Sequence, residues 1–180
     1  QILDANGLQN IRIEHVSGDL TDHYSPNENV IRLSDSTYNS TSVAAIGVAA
    51  HECGHAVQHQ VGYVPIKIRN GIVPIVNVCN TLSMPIFIIG LILGLGQIGN
   101  GRCDTFWCGA CISACNIATE INASRRAMKT LESMYLLEGD ELTGARKTLT
   151  AAAMTYVAAA ATAILQLLRL IYLFGGRRRD

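Results

Sequence analysis

His51-Glu52-Cys53-Gly54-His55 places two imidazoles four residues apart, with a carboxylate beside the first. On a helix, positions i and i+4 share a face, so both rings can turn toward one metal ion, at about 2.0–2.1 Å if it is zinc. Glu52 projects from the neighbouring side of that face. It can reach a metal-activated water rather than the metal, and so can act as general base. The helix that must carry this H-E-x-x-H motif is expected over Val43–Gln60, with N-cap candidates in Asn39-Ser40-Thr41-Ser42 and a C-cap at Gly62. Gly47, Ala49, Ala50 and Gly54 would let other backbone approach that helix closely. Two histidines at this spacing also occur on ordinary helix surfaces, but the glutamate between them and the small residues around them favour a metal.

A catalytic zinc takes three protein ligands and leaves one position open. His59 continues the row of histidines, but a rise of 1.5 Å per residue puts it about 12 Å from His51 along the axis, too far for one ion. A third histidine of the metzincin kind would stand at position 61, which is Val61. His15 and His23 fall in expected strand and turn segments, where a lone histidine is more often structural or solvated.

The search for a third ligand leads to the elements that would position it. The chain has 180 residues, enough for one domain with a real core, and its 14 Lys and Arg balance 14 Asp and Glu, so no net field points to nucleic acid. Hydrophobic residues make up 49% and charged residues only 16%, against about a quarter charged in soluble domains. The deficit is concentrated: no charge occurs from Asn70 to Gly101, from Thr105 to Thr119, or from Thr148 to Leu168. Apolar runs of about 20 residues can cross a bilayer as helices. We therefore expect a membrane hairpin within residues 70–119. Ile72–Gly99 would go out through Pro74 and Pro85, Arg102 and Asp104 would mark the turn, and Phe106–Thr119 would return. The return run is short for a full span unless it tilts little or is partly covered by protein. A pair of buried core helices is the soluble alternative.

Such a hairpin brings residue 120 back to the side of the H-E-x-x-H helix. That residue is Glu120, at the start of Glu120–Ala127, which reads as a second helix. With His51 and His55 it would make the two-histidine, one-glutamate set of thermolysin. Glu132, Glu138, Asp140 and Glu141 compete by type alone, in a polar stretch that reads as a solvated face.

The polar N-terminal third supplies the remaining elements. Gln1–Gly7 reads as the last turn of a helix, stopped by Asn6-Gly7. Ile11–Val16 alternates as a strand, and Asp22-His23-Tyr24 with Val30-Ile31-Arg32-Leu33 reads as a hairpin about Ser25–Asn29. The edge of such a small antiparallel element could pair with an extended peptide.

Several of these segments resemble the YugP-like family of membrane-bound neutral zinc metallopeptidases. They are Asp22-His23-Tyr24, Val30–Ser34, Ala49–Ala56, Gly62-Tyr63-Val64-Pro65, Glu120–Ala127 and Leu149–Ala158, in order over nearly the whole chain. A looser similarity runs to the CAAX-processing and HtpX-like membrane peptidases, which place a glutamate ligand in an E-x-x-A-x-R-like segment. The resemblance implies one zinc per chain held by His51, His55 and Glu120, and peptide or protein substrates; the balanced charge gives no reason to expect a nucleic-acid partner. It also implies an integral protein of a bacterial plasma membrane with its site on the cytoplasmic side, and a further membrane helix before Gln1. One departure concerns Ser124, where those relatives often carry Asp to support the first histidine.

The expected fold is accordingly mostly α with a small antiparallel β element: a gluzincin-like core with two to three transmembrane helices in a single domain spanning residues 1–180. Within it, residues 1–65 form a polar region with the H-E-x-x-H helix, and residues 70–119 form the membrane hairpin. A helix with the third ligand follows in 120–147, then a membrane helix in 148–174 and a basic tail in 175–180. The expected reaction is peptide-bond hydrolysis by zinc-activated water, with Glu52 as general base. Tyr156 and Arg125 are oxyanion donors by type only. The terminal Arg177-Arg178-Arg179 favour a cytoplasmic tail, while Arg125, Arg126, Lys129, Arg146 and Lys147 crowd the opposite, catalytic side, so charge alone leaves the orientation open. Cys103, Cys108, Cys111 and Cys115 could frame a second metal or cluster site, but in an uncharged run they read as small packing residues, and so does Cys53. Two rival functions remain: a membrane scaffold with a closed structural metal, and a zinc hydrolase of a non-peptide substrate.

Overall fold

The computed structural model describes residues 1–92 and 99–175. The chain divides into two compact units, Gln1–Val64 with Ala118–Met154, and Pro65–Ile117 with Thr155–Asp180. The elements are α1 (Ile2–Ala5), β1 (Arg12–His15), β2 (His23–Ser25), β3 (Val30–Leu33), α2 (Asp35–Tyr38), α3 (Val43–Gln60), α4 (Val64–Ile92), α5 (Gly99–Ser133) and α6 (Gly139–Gly175). The fold is mostly helical with one small sheet.

That sheet is mixed rather than antiparallel. β3 lies in the centre, with β2 antiparallel on one side and β1 parallel on the other, Arg12 opposite Val30 and His15 opposite Leu33. Alternation marks a strand but not its partner or direction. The short hairpin turn joins β2 to β3, with Asn29 at φ 52°, and leaves β3's other edge to β1. Two aspartates fasten the connection between β1 and β2 to the start of α2. Asp35 accepts from the Gly18 amide and contacts His15, and Asp22 accepts from the Ser34 amide and hydroxyl. β3 is the buried strand: Ile31 and Leu33 pack with Leu3, Leu8, Ile11, Cys53 and Ala56. β1 is exposed, and its Ile13 is 51% exposed.

α3 begins and ends where its capping residues dictate. The Ser42 hydroxyl accepts from the Ala45 amide at 3.2 Å. At the other end Gly62 takes φ 63°, so that its own amide reaches the His59 carbonyl and the Tyr63 amide reaches that of Gln58. A second core joins α3 to the first-unit portions of α5 and α6, through Ala50, Ala127, Leu131, Leu137, Ala145 and Leu149.

The long helices differ from the expected segments in two places. Arg102 and Asp104 do not mark a turn but lie inside α5, which runs unbroken to Ser133. Charges end a span in a hydropathy reading, yet neither residue breaks a helix. Residues 120–147 do not form one helix either. The chain turns between Ser133 and Gly139, where Tyr135 and Gly139 both have positive φ. Among the described residues, α6 holds one stretch, Gly139–Arg169, long and apolar enough to cross a membrane. The segment 93–98 and the basic tail after Gly175 lie outside the described residues.

Candidate metal centre

The crossing of α3 over the part of α5 that lies in the first unit, from Ala118 onward, builds the centre. A Cβ added to Gly54 would lie 2.7 Å from the Ala123 carbonyl oxygen, a separation that real Cβ atoms do not tolerate. Glycine at 54 is therefore what lets the two backbones meet. Ala50, Ala123 and Ala127 are buried along the same contact. The crossing carries Glu120, one turn before Ala123, to the imidazoles on α3.

Glu120 Oε2 lies 3.1 Å from His51 Nε2 and 3.6 Å from His55 Nε2, and the two ring nitrogens are 3.1 Å apart. A tetrahedral zinc with bonds of about 2.0–2.1 Å has ligand-to-ligand edges of about 3.3 Å. The donor set thus fits zinc in atom type, in number and in spacing. Among the described residues this is the one group of three or more His, Cys, Asp or Glu side chains so arranged.

The electrostatics of the cluster follow from its burial. Burial pushes the Glu120 carboxyl upward, but the hydrogen bonds and charges of His51 and His55 together outweigh it and hold that carboxyl at about 2. Burial likewise pulls His55 down, while Glu120 and Glu52 raise it above its ordinary value. Glu52, only 7% exposed, is raised, mainly by desolvation, with His55 and His51 pulling against it. Burial also pushes the Cys53 thiol up to about 12, which suits an inert packing residue.

The other candidates do not join the cluster. His15 contacts Asp35, the His23 ring bonds the Thr21 carbonyl, and His59 is exposed, its ring 6.1 Å from that of Tyr24 in a T-shaped contact. Glu132, Glu138, Asp140 and Glu141 are all exposed, and so is Arg125. Tyr156 lies in the second unit. The four clustered cysteines lie in α5; Cys115 is half-buried, and the side chains of Cys103, Cys108 and Cys111 are outside the described ones.

Two supporting contacts complete the site. Ser124 Oγ lies 3.2 Å from His51 Nδ1, so serine occupies the place where the family resemblance leads one to expect aspartate. Gln58 Oε1 lies 3.0 Å from His55 Nδ1, and Gln58 Nε2 reaches the Thr119 carbonyl at 2.8 Å and Asn122 Oδ1 at 3.0 Å. Sequence reasoning does not single out Gln58. Its signal is faint: a glutamine three residues after His55, on the same helical face. A cavity of about 290 Å³ lies beside Cys53, Val57 and Met134, and none of the three clustered side chains lines it.

Comparison with known proteins agrees with this geometry. Residues 1–175 match the profile of a family described as "Putative neutral zinc metallopeptidase". Over 175 residues the chain is 41% identical to "Putative membrane protease YugP" of Bacillus subtilis (strain 168), covering 97% of this chain and 77% of that protein. No solved structure matches. With two histidines and a glutamate converging beneath an H-E-x-x-H helix, and a match over nearly its full length, the chain belongs to the YugP-like family of neutral zinc metallopeptidases.

Proposed function

We propose that the protein is a membrane-bound, zinc-dependent endopeptidase, with one zinc per chain held by His51, His55 and Glu120 and with Glu52 as its general base. The convergence of three donor atoms from α3 and α5 carries this reading. Among the described residues the group contains three side chains and not four, which favours an open catalytic site over a closed structural one. Bound there, zinc would act as a Lewis acid toward water and toward the carbonyl of a peptide substrate.

The chain's own residues supply the rest. Burial raises the Glu52 carboxyl, which suits it to take a proton from the attacking water and pass it to the leaving amine. Gln58 and Ser124 stand at the Nδ1 atoms of His55 and His51, leaving both Nε2 atoms to face Glu120. The arrangement is gluzincin-like: two histidines on one helix and a glutamate on a second.

Membrane attachment is supported by the apolar length of α6, by the uncharged runs in α4 and α5, and by the name of the relative from Bacillus. We read α4, α5 and α6 as two to three spans in a bacterial plasma membrane, within a single peptidase domain.

Zinc content and peptide hydrolysis in detergent test the proposal. Glu52→Gln should keep one zinc per chain and lose activity. Glu120→Gln should weaken zinc binding. Full zinc retention in Glu120→Gln would remove Glu120 from the site, and a folded wild type without zinc affinity would overturn the whole reading.

A further inference from the structure

We infer that Gln58 is a positioning residue that sets the proton on His55 and couples that histidine to the helix bearing Glu120. The inference rests on the zinc reading of the site. Its starting point is a side chain with no exposed surface, on α3, whose amide touches α5 at two places.

The direction of each hydrogen bond can be derived. The Thr119 carbonyl can only accept, so the Gln58 atom facing it at 2.8 Å is the amide nitrogen. Asn122 agrees: Arg126 Nε, which can only donate, reaches Asn122 Oδ1 at 2.8 Å, so that oxygen accepts from Gln58 Nε2 as well. With its nitrogen turned to α5, Gln58 presents its oxygen to His55 Nδ1 at 3.0 Å. An oxygen there requires the hydrogen of His55 to sit on Nδ1, which leaves the Nε2 lone pair toward His51 and Glu120, as a metal ligand needs. Arg126 thus fixes Asn122 Oδ1 as an acceptor, Asn122 and Thr119 fix the Gln58 nitrogen as their donor, and the Gln58 oxygen that remains selects the ligand tautomer of His55. The same amide grips the carbonyl of Thr119, the residue immediately before Glu120.

His51 lacks this device. Its Nδ1 meets the Ser124 hydroxyl, which can rotate to donate or to accept, so that contact does not choose a tautomer. The two histidines are therefore held unequally: Gln58 fixes the tautomer of His55 and not that of His51.

The test compares Gln58→Met with Gln58→Glu in the detergent-solubilised chain. The readouts are zinc affinity, by chelator competition, and the visible spectrum of the cobalt-loaded protein. Methionine matches the volume but accepts no such bond. Glutamate keeps an acceptor for His55 and, when protonated, a donor for Thr119. A positioning role predicts zinc binding about 10–100-fold weaker in Gln58→Met with an altered cobalt spectrum, and recovery of most of that loss in Gln58→Glu. A space-filling role predicts the reverse order, because a carboxyl there is harder to bury than a thioether. Gln58→Met binding zinc as wild type does, or more tightly than Gln58→Glu, overturns the inference while leaving the zinc site standing. If Gln58→Met fails to fold, Gln58→Glu decides: binding within about tenfold of wild type supports the role, and a larger loss overturns it. His55→Ala serves as the control for the site itself. A folded wild type that binds zinc no better than His55→Ala would overturn the metal site and Gln58's role together.

Discussion

In α6, the residues of the first unit and those of the second draw on a similar stock of alanine and aliphatic side chains, yet they meet different surroundings. Ala145 and Leu149 are buried against α3 and α5, whereas Ile164, Leu165 and Leu168 are half exposed or more. α4 repeats the second pattern, with Ile75, Val78, Leu82 and Ile89 exposed at helical spacing. Apolar composition does not by itself say what a residue packs against. In the first unit, small side chains bring backbones together to build a site. In the second, large apolar side chains point outward, an arrangement that water disfavours by about 25 cal/mol per Å² and that lipid accommodates.

The largest test of this contrast lies at the helix crossing. Gly54→Val should abolish zinc binding, read as metal content of the purified protein, because α5 must retreat and take Glu120 with it. Next comes a paired truncation followed by thermal unfolding in detergent. Leu131→Ala removes a side chain with no exposed surface and should cost about 2–5 kcal/mol. Leu165→Ala, at a position 66% exposed, should change stability by about 0.5 kcal/mol or less. Equal losses would erase the distinction between the two units.

A charge sharpens it from the other side. Leu165→Arg should oppose membrane insertion by about 2.5–3.5 kcal/mol if Leu165 lies near the middle of a span, as measured by insertion of α6 into microsomes. Unimpaired insertion would break the membrane reading of α6. The smallest effect concerns protons. His55 is raised above its ordinary 6.5 by Glu120 and Glu52 against the pull of burial, so protons compete with zinc from a correspondingly higher pH. Zinc affinity should be greatest above that value and fall as pH drops through it, by about tenfold per unit below. Chelator competition at pH 8, 7 and 6 would show it, and a flat profile would remove His55 from the ligands.

The features of the molecule that are legible in the sequence are those whose signal is local. H-E-x-x-H, Ser42 and Gly62 each act within one helix, and the structure realises the helix between the two caps. Glu120 follows from topology, although the turn expected at Arg102 and Asp104 is absent. Its placement needs only that the chain return, not that it turn at a given residue. The parallel pairing of β1 is illegible, since four alternating residues fit either direction. Gln58 is illegible for a related reason: its partners are 61 and 64 residues away, and nothing in a glutamine's neighbours announces which distant carbonyl it will meet.

Gly54 also carries a consequence for how this protein can vary. Every single-base change of a glycine codon that alters the residue introduces at least a Cβ, so no neighbouring sequence keeps the contact. Compensation from the partner helix is closed as well, because the obstructing atom is the main-chain oxygen of Ala123, which every amino acid at position 123 would possess. A repair would have to move a whole helix, and Glu120 with it. Position 54 is thus a point that drift cannot cross by small steps, and a library randomised there should return glycine alone among variants that still bind zinc.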